Sequence, residues 1–348
     1  MFEYSLDNKL KQWLIEHAEV MDQQSGYAQQ VLQRMVPESL FGLGVSEYLG
    51  GVSQSTFHDA FAALVTVAKY SLNAAFILWA QRGVIGLLAQ QPEHPLTQTL
   101  LPLLLDGRVA GAPGLSNLIK FGGGLEPLQV SAQSFQTGWE LNGQLPWVSN
   151  AQQENFIVAL AAKTDAGQAG VFLLPDKADG VLRNEDLSLY SIQSSATTAI
   201  NLRQVRVSAE HRFADCAFSF MRLFRPGFLA QQCAMSVGVG LACIEQVMHH
   251  SQQHQRFMQQ ARDLQTQLLQ TAQRLVDGVV QNKWFDSAQE LFELRLHLAD
   301  LCMQCAMLEL KCAGGAAYVK GKREATRRRL REAMLLPLIT PTVAQLSA

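Results

Sequence analysis

The apolar residues of this chain change their spacing twice, and that order constrains the fold more than any single motif. Residues 1 to about 105 read as helices: 6–35 is polar with apolar residues three or four apart, and 55–88 is rich in Ala, Leu, Val and Phe, as core helices are. Gly42-Leu-Gly-Val45 and Gly50-Gly51 punctuate the two parts as a loop. From about 106 to 213 the alternation is that of strands, over 128–132, 140–148, 156–161, 170–174 and 197–207, with turn residues between them. From Pro226 the spacing is helical again, over 228–256, a Gln-rich 262–280, 287–312 stopped by Gly314-Gly315, and a short last helix within 320–335. Helices, strands and helices in separate blocks predict an α+β organisation, and short strands at this spacing predict an antiparallel barrel or sandwich. The expected domains are 1–105, 106–213 and 214–348.

Composition narrows the function. With 348 residues, two or three domains are expected. The charged fraction of 17% lies below the usual ~25%, which favours extensive burial or oligomer interfaces. A net charge of −2 gives no global attraction to nucleic acid or membrane. The N-terminus lacks a basic segment followed by an apolar one, and no apolar run reaches the ~20 residues of a membrane span. Six cysteines without framework spacing read as reduced thiols of a cytoplasmic protein.

Within the strand block, Leu141-Asn-Gly-Gln-Leu-Pro-Trp-Val-Ser-Asn150 stands out. Asn142-Gly143 is a two-residue hairpin signal. The strand expected after it would carry Trp147 and Ser149 on one face, a large flat ring beside a small hydroxyl. That pairing suits the flank of a flat cofactor.

This segment resembles the Leu-Asn-Gly-x-Lys-x-Trp-Ile-(Ser/Thr)-Asn strand of the acyl-CoA dehydrogenase family, where it meets the flavin ring. Further resemblances fall in family order: Leu43-Gly-Val-Ser-Glu-Tyr-Leu-Gly-Gly51, the run from Ala110 to Asn117, Ser195-Ala-Thr197 through Val205-Arg-Val207, the helix from Gly238 to Arg256, and Gly314-Gly315 followed by Arg331-Glu332-Ala333. The resemblance implies a helical N-terminal domain, a middle antiparallel β-barrel and a C-terminal four-helix bundle. It also implies FAD clasped between the subunits of a homodimer or homotetramer. By this likeness Leu115 and Ser116 bond the flavin pyrimidine edge, Trp147 packs on the isoalloxazine and Ser149 approaches its N5 side. Arg256 pairs with the pyrophosphate, Gly314 and Gly315 admit a partner's dinucleotide, and Thr342 touches the same cofactor.

The departures bear on activity. Thr340 stands where the family's catalytic glutamate is expected, and the alternative position in the preceding long helix holds Ala230 and Gln231. Abstraction of an α-proton needs a base that threonine cannot be. The family's Gly-Ser-Asp after Thr-Glu-Pro is replaced by Asn117-Leu-Ile-Lys-Phe-Gly-Gly-Gly124, which alters the contacts expected for CoA. The expected function is a FAD-dependent oxidoreductase acting on an acyl thioester or related small substrate, with an electron-transfer partner. The alternatives are a flavin-dependent monooxygenase of the same fold fed by a flavin reductase, or a silent flavin-binding or phosphate- or nucleic-acid-binding protein.

The last alternative would use residues 320–331, which hold seven of the 28 lysines and arginines: Lys320, Lys322, Arg323, Arg327, Arg328, Arg329 and Arg331. The more ordinary reading is a solvated or interface helix. Cys302-x-x-Cys305 has redox spacing, but on a helix it reads first as small apolar packing. His250 and His254 are four apart without an evident third ligand, so no metal is expected.

Overall fold

The computed structural model describes residues 2–122, 125–250, 255–285 and 288–346. Five helices come first: α1 (Asn8–Gln23), α2 (Ala28–Met35), α3 (Phe57–Tyr70), α4 (Leu72–Leu88) and α5 (Pro95–Leu105). A capping box starts α3, in which Thr56 and Asp59 satisfy each other's backbone N–H groups. Ser71 ends α3 and caps α4, so the two helices turn on one residue. Every residue of α4 except Gly86 is buried, as a helix apolar on all sides requires.

The middle segment contains β1 (Ala110–Gly114), α6 (Ser116–Gly122), β2 (Val130–Phe135), β3 (Gly138–Val148), β4 (Phe156–Thr164), β5 (Ala169–Pro175), β6 (Val181–Asp186), β7 (Thr198–Ser208) and β8 (Arg212–Ala214). Their order is β6-β7-β3-β2-β4-β5-β8, with β1 also paired to β4. The sheet is open, where a closed antiparallel barrel was expected. It is also mixed, because β4 runs parallel to both β1 and β2. The connection leaving β3 crosses over before returning as β4, which sets Phe156 beside Ala110. Central placement makes β4 apolar on both faces rather than alternating.

Asn142-Gly143 does not form the hairpin. Both residues lie inside β3 opposite Ser131 and Val130, and the turn falls earlier, where Phe135 faces Gly138. The pair instead accommodates a bulge: the register against β7 slips between Leu141 and Gly143, and Asn142 Oδ1 accepts from Gln204 N at 2.8 Å. Gly143 has φ +142, and a Cβ there would collide with the Gln129 carbonyl.

The C-terminal helices are α7 (Ala217–His250), α8 (Gln255–Val280), α9 (Gln289–Ala313), α10 (Glu324–Leu335) and the single turn α11 (Val343–Leu346). Pro226, expected near the start of a helix, lies inside α7, which begins nine residues earlier. Arg256, expected on the same helix as Gly238, belongs to the first turn of α8 and is exposed. By length and composition α7 could cross a membrane, yet 89% of its apolar window is buried in the protein. It is a core helix. At Gly238 it passes so close to α3 that a Cβ would collide with Val65 O and lie 2.5 Å from Ala68 Cβ. One apolar cluster runs from Phe2 through the sheet to Leu336.

Candidate active site

The site is built around the end of β3. Trp147 is 53% exposed there, unusual for so large an apolar ring. The strand stops at Val148, so Ser149 does not share its face by alternation as expected. Ser149 sits half-buried in the turn that follows and accepts a hydrogen bond from Thr197 Oγ1 at 3.3 Å. Thr197 Oγ1 lies 2.8 Å from Ser195 Oγ, which makes a short ladder of hydroxyls.

Asn150 holds this turn, with φ +56 and no exposure. Its Nδ2 donates to Gly111 O at 3.0 Å and to Gln81 Oε1 at 3.1 Å. Gln81, fully buried on α4, also accepts from Gly111 N at 2.6 Å and donates to the carbonyls of Leu104 and Val109. One glutamine therefore ties α4, the entry to β1 and the exit of β3 together. Leu115 and Ser116 follow β1 directly, Leu115 buried and Ser116 at the start of α6. Asn117 fixes that start by donating to Glu126 and Pro127 O and accepting from Gln129 N.

Neither expected position for a base holds a carboxylate, and each is engaged otherwise. Gln231 Oε1 accepts from Arg82 Nε at 2.8 Å. The Thr340 carbonyl accepts from Gln232 Nε2 at 3.0 Å, and Gln232 Oε1 accepts from Arg295 Nε at 2.8 Å. Arg82 also donates to the carbonyls of Leu40, Phe41 and Leu43, and burial lowers its pKa to about 10. Arg295 donates to Leu336 O and Ile339 O, and burial lowers its pKa as well.

A cavity of about 260 Å³ opens between α6, α7, α9 and the C-terminal loop. Leu118, Phe218, Met221, Phe292 and Pro341 contribute apolar walls, and Arg225 and Lys120 contribute the charge. Lys120 is paired with Glu126 at 3.3 Å. Arg225 lies over the Phe292 ring, and its buried Nε meets no hydrogen-bond partner. Burial, then the neighbouring Arg222, lowers its pKa.

The expected residues are only partly brought together. Thr342 follows Pro341 of the cavity wall, and its Oγ1 accepts from Gln345 N at 3.2 Å. Gly314 and Gly315 end α9 in the open, with nothing within 4 Å of a Cβ on either. Neither they nor Arg256, Leu115, Ser116, Trp147 and Ser149 line the cavity itself. Gln81, Arg82, Arg225 and Arg295 escaped the sequence reading. A signal existed for the first two: in α4 they interrupt an otherwise almost wholly apolar helix, and buried polar groups must find partners.

The basic run is turned largely inward. Arg329 forks onto Glu309 at 2.8 and 2.5 Å, Arg328 pairs with Glu332, Arg331 with Asp22 and Glu19, and Arg327 with Glu324. Most of the charge that suggested a phosphate or nucleic-acid surface is thus neutralised internally. Cys302 and Cys305 are buried, and burial pushes both thiols up, Cys305 to about 12, so both stay protonated and inert. Among the described residues no cluster of metal-ligating side chains occurs, and His254 lies outside them.

No protein-family model matches the chain. The caffeyl-CoA reductase–Etf complex subunit CarC of Acetobacterium woodii is 22% identical over 334 residues, covering 89% of this chain and 86% of that protein. Butyryl-CoA dehydrogenase from Megasphaera elsdenii superposes with a TM-score of 0.81 at 18% identity, over 99% of this chain and 98% of its own. A glutaryl-CoA dehydrogenase from Mycobacterium smegmatis, solved in complex with FADH2, superposes with a TM-score of 0.82 at 14% identity, over 98% and 93%. From its first helices to its last, this chain carries the acyl-CoA dehydrogenase fold.

Proposed function

We propose that the protein is a FAD-dependent oxidoreductase that acts on an acyl thioester or a related small substrate. The observation that carries this reading is the exposed Trp147 ring at the end of a strand anchored by Asn150 and Gln81, in a fold shared with a glutaryl-CoA dehydrogenase solved with FADH2. The residues fit a flat, hydrogen-bonding ring system. Trp147 offers an unburied aromatic face, the Ser149–Thr197 hydroxyls lie in the turn that follows its strand, and the backbone at Leu115 and Ser116 opens a helix. Bound flavin supplies two-electron transfer.

In this reading Trp147 covers one ring face, Ser149 approaches the N5 side, and Leu115 and Ser116 hold the pyrimidine edge. Arg256, Gly314, Gly315 and Thr342 serve a cofactor shared with a second copy, so a homodimer or homotetramer is the working form. The bare backbone of Gly314 and Gly315 supports that part, since a close approach there meets no side chain of its own subunit. The relative from an Etf complex supports an electron-transferring partner. Unbridged cysteines, four of the six buried, support a cytoplasmic setting.

A second reading is favoured by one observation: Thr340 and Gln231 are neutral, and among the described residues no carboxylate lines the cavity. A monooxygenase of this fold needs no base to remove an α-proton. The purified protein is expected to be yellow and to release FAD on denaturation; colourless protein that gains no flavin absorbance on incubation with FAD overturns the flavin reading. Anaerobic bleaching by an acyl-CoA panel supports dehydrogenation. Bleaching only by an added flavin reductase, followed by substrate-dependent oxygen uptake, supports the second reading.

A further inference from the structure

Three arginines, two packed against α7 and one on it, meet no carboxylate among the described residues. Arg82 and Arg295 are each held by carbonyl and amide oxygens, through Gln231 and Gln232 respectively. Arg225, two turns earlier on the same helix, stands at the cavity wall with its buried Nε unpartnered. Arg225 is only partly buried, but its enclosed Nε has given up water without a partner in return, a cost that an added acceptor would offset. Elsewhere the chain pairs its buried arginines, as Arg328 and Arg329 show.

The cavity limits what that acceptor belongs to. Its volume of about 260 Å³ falls below the ~300–1,000 Å³ of sites for drug-sized ligands. Leu118, Phe218, Met221, Leu229 and Phe292 make most of its walls apolar, and the two other polar side chains of the lining are engaged, Lys120 with Glu126 and Gln345 with Thr342 N. A phosphate, with about −1.5 to −2 charges and three strong acceptor oxygens, needs several converging donors. With Lys120 already paired to Glu126, the Arg225 guanidinium between mainly apolar walls matches a carboxylate, whose two oxygens fit its fork.

We propose that this cavity takes a small apolar carboxylic acid, or the free carboxylate end of a small substrate, and that Arg225 is the specificity-determining residue that reads it. This rests on the reading of the cleft as the substrate space of a flavin oxidoreductase and names its substrate class. Arg225 orients the carboxylate, and the apolar walls take the hydrocarbon body.

Titration calorimetry on the full-length protein tests this, with hexanoate and its neutral counterpart hexanamide as probes. Hexanoate is expected to bind about 10- to 100-fold more tightly than hexanamide, the range of a charge-assisted hydrogen-bonded pair. Arg225→Gln should abolish that preference, and Arg225→Lys should keep part of it. Equal binding of the two probes by the unaltered protein overturns the proposal without any variant, as does a preference that survives Arg225→Gln in protein whose circular dichroism is unchanged. Displacement of hexanoate by an equal concentration of inorganic phosphate would reassign the cation to a phosphate and also overturn it. Flavin content, read by absorbance in the same samples, keeps the two readings apart. Flavin-bearing protein without carboxylate preference refutes only this proposal, and flavin-free protein that prefers hexanoate refutes only the cofactor.

Discussion

Replacing Gln81 with leucine tests whether one buried amide organises the end of β3. The substitution keeps approximate volume and removes four hydrogen bonds from a fully buried position. Not all partners are stranded. The Leu104 carbonyl keeps Gly107 N at 3.2 Å, and Asn150 Nδ2 keeps Gly111 O at 3.0 Å. The Gly111 N–H and the Val109 carbonyl lose the partner that Gln81 gave them. Two orphaned backbone groups at about 1–3 kcal/mol each, less roughly 1 kcal/mol regained by the apolar side chain, give a loss of about 1–5 kcal/mol. That is a large share of the ~5–15 kcal/mol that ordinarily separates folded from unfolded protein. Urea unfolding followed by circular dichroism, at one fixed protein concentration because assembly adds to apparent stability, measures it. Asn150→Ala combined with Gln81→Leu should lose less than the sum of the two single changes, since they share a bond. A Gln81→Leu change within 0.5 kcal/mol of the unaltered protein, or strict additivity with Asn150→Ala, would refute the clamp.

Other outcomes follow from local geometry. Removing one partner of the buried Glu309–Arg329 fork, as Glu309→Gln or Arg329→Met, should cost about 3–5 kcal/mol in the same assay, and the double substitution Glu309→Leu with Arg329→Met should recover much of it. Asp59, whose carboxyl is held below its ordinary 3.8 by the Thr56 backbone N–H and hydroxyl, stabilises α3 fully above that value. Its contribution disappears as the pH falls from 3.8 through the lowered value, so the stability gap between unaltered protein and Thr56→Ala should narrow over that acid range; a constant gap argues against the capping box. A thiol reagent at neutral pH should label Cys216 first, because it is exposed at the start of α7 and a hydrogen bond from Ser219 lowers its thiol pKa. The fast phase should vanish in Cys216→Ser, while Cys233, Cys243, Cys302 and Cys305 react only on unfolding.

Much of the architecture was legible because periodicity reports burial. β2, β3, β4, β5 and β7 alternate or run apolar in the sequence, and the long helices announce themselves by spacing. What escaped has physical reasons. β1 is Ala-Gly-Ala-Pro-Gly, without a β-branched residue, and is a strand because α4 and β4 hold it. β8 is three residues long, too short for any period. Asn142-Gly143 carries the chemistry of a turn, and the sheet uses its conformational freedom for a bulge instead. Pro226 reads as a boundary, yet α7 continues through it because burial on both sides outweighs the local preference. For the candidate site, motif order pointed to β3 and the α6 entry. The arginines could not be found that way, since their roles depend on which helices meet.

The all-round burial of α4 has a consequence for synthesis. Its cover comes from opposite ends of the chain: α3 just before it, β1 after it, and α7 much later, where Trp79 Nε1 donates to Phe228 O and Phe228 packs on Gly83. A nascent chain therefore carries a finished apolar helix through the making of the whole sheet before its lid is translated. During that interval the exposed stripe invites association with other chains, and the protein should depend on chaperones until α7 closes over it.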